Sequence, residues 1–132
     1  MILLDTCAIV WSAQGALPAR VRSRLNVCAR AGELFWSPIS AWEIATLARK
    51  GRLRIDEPLE AFLDRVERRG ARIAALTPHV ARVAGSFGDA FGGDPVDRLI
   101  AATAVTMGLR ILTRDRRLLK LDGTLGLRVS PC

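Results

Sequence analysis

A chain of 132 residues, half of them hydrophobic and a quarter charged, fits one soluble globular domain over residues 1–132 and argues against a low-complexity chain. Its net charge of +7 favours a polyanionic partner, nucleic acid or an acidic protein, and is equally compatible with a plain basic surface. Three cysteines, Cys7, Cys28 and Cys132, match neither a disulfide framework nor a zinc site and suggest a reducing, cytoplasmic setting; the opening apolar run stops at Asp5 and none approaches about 18 residues, which excludes a membrane span.

Ile2-Leu3-Leu4 is continuously apolar, as a strand covered on both faces should be. Asp5-Thr6 closes it, and a helix begins at Cys7. Asp5 is either that helix's N-cap or a ligand at the carboxyl end of a buried strand. Gly15 and Pro18 mark a turn. Ala19 to Ala31 reads as a helix, with Val21, Leu25 and Cys28 inward and its arginines outward. Leu34-Phe35-Trp36 is a second buried strand.

Ser37-Pro38 supplies the N-cap and first position of the next helix, with Ile39, Trp42, Ile44 and Leu47 expected to pack inward. Glu43 interrupts that apolar face. A Ser40–Glu43 capping box would explain it locally, but Pro38 places the helix start earlier. Arg49, Lys50, Arg52 and Arg54 form a basic cluster suited to a helix C-terminus or to phosphate.

Pro58 to about Arg69 reads as an amphipathic helix and Arg72 to Leu76 as a third strand. Thr77-Pro78 then caps a helix carrying the lone histidine, His79, expected to face solvent. Gly85 to Gly93 is glycine-rich and loop-like.

Asp94-Pro95-Val96-Asp97 opens the central helix, which Gly108 ends. Val96, Leu99, Ile100, Thr103 and Met107 share one face at helical spacing. Leu109 to Thr113 is a buried strand followed by Asp115. Arg116 to Leu119 makes a short helix or turn, and Leu125 to Val129 a last strand. Alternating strands and helices predict an α/β protein with a mostly parallel sheet covered on both faces.

Asp5, Glu43, Asp97 and Asp115 each have a local explanation, chiefly as helix caps. Together they fall where a parallel sheet presents its carboxyl edge. Carboxylates brought together repel unless protonated or bound to a cation. Such oxygen ligands suit Mg²⁺ or Mn²⁺, which activate water and stabilise a leaving oxygen in phosphodiester cleavage. No nucleophile–base pair and no phosphate-binding glycine loop competes with this reading.

The segments Leu3-Leu4-Asp5-Thr6, Ser37-Pro38-Ile39-Ser40-Ala41-Trp42-Glu43-Ile44, Asp94-Pro95-Val96-Asp97-Arg98-Leu99-Ile100-Ala101 and Leu112-Thr113-Arg114-Asp115 resemble the PIN domain in order and spacing. More narrowly they are similar to the VapC-type toxins of bacterial toxin–antitoxin pairs. The resemblance implies a three-layer α/β/α sandwich and Mg²⁺-dependent endoribonuclease activity. It also implies a homodimer and inhibition by a VapB-type antitoxin encoded alongside. It places Asp5, Glu43, Asp97 and Asp115 on the family's acidic quartet, with Asp94, Thr6 and Thr113 in support. Cys7 and Gly92 stand where close relatives often carry His.

The expected roles follow. Asp5 and Asp97 hold the main ion, and Glu43 and Asp115 bind through water or a second ion. Arg98, Arg114, Arg116 and Arg117 draw in phosphates or pair with the acids. A catalytically silent binding module and a metal-dependent nuclease acting on DNA stay open as alternatives.

Overall fold

In the computed structural model, which describes residues 1–132, short apolar runs pair into one sheet. Ile2–Leu4 forms β1, Leu34–Trp36 β2, Arg72–Ile73 β3, Arg110–Thr113 β4 and Val129–Pro131 β5. All four neighbouring pairs are parallel, in the order β3-β2-β1-β4-β5. The register sets Leu3 beside Phe35 on one side and Ile111 on the other.

Strand alternation divides the core into two layers. Ile2, Leu4, Leu34, Trp36 and Leu112 face a cluster that includes Ala8 and Ile9 of α1 (Thr6–Ala13), Leu25 of α2 (Ala19–Arg30), Ile44 of α3 (Pro38–Arg49) and Phe62 of α4 (Leu59–Arg68). Leu3, Phe35, Ile111 and Val129 face the opposite cluster, with Ile100, Ala101 and Ala104 of α6 (Pro95–Met107) and Leu118 of α7 (Arg116–Leu119). Behind α6, Val80 and Ala84 of α5 (Pro78–Ser86) pack on Ala102. The alanines of α6 let its backbone lie close to the sheet. Ile100 is wholly buried among them, a contribution of about 2 kcal/mol from apolar area alone. No helix is long and apolar enough to cross a membrane.

Several boundaries differ from the sequence expectation. The last strand is Val129–Pro131 rather than Leu125 to Val129. Leu125 and Gly126 hold φ of 52° and 76°, a left-handed turn that cannot continue a strand. The third strand stops at Ile73, because Thr77 must already cap α5 through its hydroxyl. Both β3 residues are exposed, as befits an edge. Helix α5 runs through Gly85 to Ser86, so the irregular stretch starts at Phe87.

Two side chains also depart from expectation. Trp42 is 57% exposed, because Ser40 and Ile44, four apart, define the buried stripe of α3 and Trp42 falls across the helix from them. Met107, in the last turn of α6, is exposed too.

Gly70 turns the chain from α4 into β3 at φ 92°, and a Cβ there would stand 2.9 Å from Ala29 Cβ. Gly70→Ala is therefore expected to lower the urea unfolding midpoint, at a cost of about 1–2 kcal/mol.

Candidate active site at the carboxyl edge of the sheet

Because every strand runs the same way, every strand end delivers its successor residue to one edge. Asp5 follows β1 directly, and Asp115 stands two residues past β4. Glu43 comes from the second turn of α3, Asp97 from the first turn of α6, and Asp94 caps α6. All five acids line one cleft of about 400 Å³. Thr6, Arg114 and Arg117 line it as well.

The Asp5 carboxylate is 5% exposed and tightly held. Its Oδ1 accepts from the Thr6 amide at 2.7 Å. Its Oδ2 accepts from the Thr113 hydroxyl at 2.6 Å and from the Cys7 thiol at 3.1 Å. The Asp115 amide in turn donates to Thr113 Oγ1 at 2.9 Å. One buried hydroxyl thus ties the acid after β1 to the acid after β4. Thr6 Oγ1 donates to the buried Ser40 hydroxyl at 3.1 Å, fixing α1 against α3 beside Glu43.

Asp5 both caps α1 and faces the cleft, so the capping role does not remove it from the acidic group. For Asp97 the capping reading fails. Asp94 Oδ1 accepts the amides of Val96 and Asp97, at 2.9 and 3.4 Å, which leaves the Asp97 carboxylate free of its own helix. It is 8% exposed, and its only side-chain partner is Arg117. Burial, followed by the charges of Asp94 and Asp5, pushes its pKa up to about 7. Burial raises Glu43 as well, aided by Asp5 and only partly offset by the Thr6 hydroxyl. At Asp115 burial would also raise the pKa, but hydrogen bonds from the Arg117 side chain and amide outweigh it and hold the carboxyl low.

No three His, Cys, Asp or Glu side chains stand close enough together to ligate an ion as they are placed. A cation already sits among three of the acids instead. Arg117 Nη2 lies 3.1 Å from Asp115, 3.4 Å from Asp97 and 3.7 Å from Asp94. A donor set made wholly of carboxylate oxygens, with one member's charge suppressed by burial and by its neighbours, fits a hard divalent ion.

Of the four arginines expected near the acids, Arg114 and Arg117 reach the cleft. Arg98 and Arg116 do not form part of its wall. Arg98 follows Asp97 on the same helix and so points about 100° away from it. Arg116 begins α7 and is exposed. The expectation missed Trp11 and Arg52, which also line the cleft. Arg52 belongs to the basic cluster after α3, a signal that was legible but unspecific. Trp11 carried none.

Cys7 occupies a position where burial and the Asp5 charge push the thiol pKa up to about 12. It is expected to react with iodoacetamide near neutral pH at least about tenfold more slowly than free cysteine, as followed by mass spectrometry.

A fully parallel α/β/α sandwich with five acids gathered around a basic side chain at its carboxyl edge defines a PIN-like domain with an acidic cleft. The chain belongs to the PIN domain family, whose model matches residues 2–124. It is 38% identical over 119 residues to Ribonuclease VapC22 of Mycobacterium tuberculosis (strain ATCC 25618 / H37Rv), covering 89% of this chain and 88% of that one. Among solved structures, it resembles VapBC2 from Rickettsia felis bound to a DNA fragment from their promoter, with TM-score 0.75 and 18% identity over 99% of this chain and 98% of that one. A toxin–antitoxin complex from Klebsiella pneumoniae matches with TM-score 0.61 and 15% identity over 96% and 95%. At these identities the structural matches establish the fold.

Proposed function

We propose that this protein is a Mg²⁺- or Mn²⁺-dependent endoribonuclease of the toxin type, neutralised by a VapB-type antitoxin. The observation that carries the reading is the convergence of Asp5, Glu43, Asp94, Asp97 and Asp115 on one cleft, with Asp97 driven towards its protonated form. The 38% identity to a ribonuclease supports the choice of substrate. The toxin–antitoxin complexes among its structural relatives support the partner. A homodimer and a cytoplasmic location belong to the same proposal.

A bound divalent ion would supply a water of lowered pKa and positive charge at the scissile phosphate. Asp5 and Asp97 would hold it, with Glu43 and Asp115 reaching it through water or a second ion. Thr113 keeps Asp5 Oδ2 in one orientation, and Asp94 fixes the helix that carries Asp97. Arg114 would meet the phosphate: its guanidinium lies 3.2 Å over the Trp11 ring, and its Nε donates to the Cys132 carbonyl at 3.0 Å. It lines the cleft without being paired to any of the five acids, and a guanidinium there suits a phosphate oxygen.

The test is cleavage of a labelled single-stranded RNA by purified protein. We expect cleavage in Mg²⁺, a fall of at least about 100-fold in EDTA, and recovery when Mg²⁺ is restored. Cleavage that persists in EDTA, or none in Mg²⁺ or Mn²⁺, would overturn the reading. A parallel single-stranded DNA substrate decides between the two nucleic acids.

A further inference from the structure

Arg117 touches the acids in a way no other cation of this chain does. Its Nη2 contacts the Oδ2 atoms of Asp94, Asp97 and Asp115, at 3.7, 3.4 and 3.1 Å. Its Nε lies 3.5 Å from Asp115 Oδ1. One monovalent side chain therefore occupies the space between three carboxylates. The hold is loose, since the side chain is 68% exposed and hangs from the four-residue α7.

A divalent ion of the Mg²⁺ class needs oxygens at about 2.0–2.1 Å in near-octahedral array. Carboxylate oxygens drawn in to that distance cannot also keep a guanidinium between them, and the two cations would repel. We infer that Arg117 is a latch. It fills the Asp97 and Asp115 side of the ion's place in the metal-free protein, keeps Asp94, Asp97 and Asp115 gathered, and swings off when a divalent ion enters. Arg117 is thus a positioning residue that acts through the carboxylates. The inference rests on the metal-site reading above.

The experiment measures Mn²⁺ binding to the RNA-free protein by calorimetry, for wild type, Arg117→Gln and Arg116→Gln. Arg116 is the control, because it is exposed, adjacent and without an ion pair, so its loss reports the general effect of one fewer positive charge. A latch reduces apparent affinity by the fraction of time the site is open, so Arg117→Gln should bind Mn²⁺ about threefold to tenfold more tightly than Arg116→Gln. Equal affinity in the two variants, or weaker binding in Arg117→Gln, overturns the latch and leaves the nuclease reading standing. Failure of wild type to bind Mn²⁺ overturns both. In wild type alone, the Arg117 Nε–Hε NMR signal should move to the free-arginine position on Mg²⁺ titration. A signal unmoved at saturating Mg²⁺ also overturns it.

Discussion

Asp97→Asn is expected to lower RNA cleavage by at least about a thousandfold while making the metal-free protein more stable. The two effects share one cause. Asp97 is buried, caps nothing, and is surrounded by Asp94, Asp5 and Asp115. An amide keeps the shape and removes both the buried charge and the repulsion, but it is a far poorer ligand for a hard cation. The pKa rises from 3.8 to about 7 on folding, so between those values the folded chain keeps a proton that the unfolded chain has lost. Stability of the metal-free protein therefore falls as pH rises from about 4 to about 7 and then levels off. At pH above that window Asp97→Asn should recover about 2 kcal/mol, read from urea unfolding in EDTA. A variant that cleaves like wild type, or whose stability keeps the wild-type slope across that window, would contradict the assignment.

Thr113→Val should be nearly as damaging to function, and of opposite sign in stability. Valine matches threonine in shape but cannot donate to Asp5 Oδ2 or accept from the Asp115 amide. Thr113 is wholly buried, so water cannot replace these partners. The expected cost is about 1–3 kcal/mol from the unsatisfied groups. Divalent-ion affinity should drop about 10- to 100-fold, because the hydroxyl orients one acid and positions the backbone of another. Thr113→Ser restores the hydroxyl and should recover most of the affinity. Equal ion affinity in Thr113→Val and wild type would show that Asp5 needs no such support.

The parts of the fold that were legible in sequence are those where a local signal and the tertiary environment agree. β1 and β2 are apolar on both faces because both faces are covered. The central helix declared its start through Asp94-Pro95 and its end through Gly108, which sits at φ 65°. The edge strands were not legible in this way. β3 has two exposed residues, and β5 includes Pro131, which a sheet edge tolerates. Their extent is set by pairing partners distant in sequence. Trp42 is hydrophobic but lies across the helix from the buried Ser40 and Ile44, so helical phase and not hydrophobicity decides its exposure.

Asp5 and Asp115 were legible for a topological reason, since residues that follow parallel strands meet at one edge; Asp97 joins them because α6, which leads into β4, starts at that same edge. The arginines were not legible. Arg98, Arg114, Arg116 and Arg117 are equivalent as sequence neighbours of acids. Only helix phase and the short reach of α7 direct one toward the carboxylates, another onto Trp11 and two outward.

The hydroxyl bond between Thr113 and Asp5 joins residues 108 positions apart, and the carbonyl that steadies Arg114 belongs to Cys132, the last residue of the sequence. β1 lies at the centre of the sheet, yet one of its two neighbours is β4, which follows it by more than 100 residues. Asp5 therefore gains its Thr113 partner only after a loop of 108 positions has closed, so the cleft forms together with the whole fold and not as a local unit.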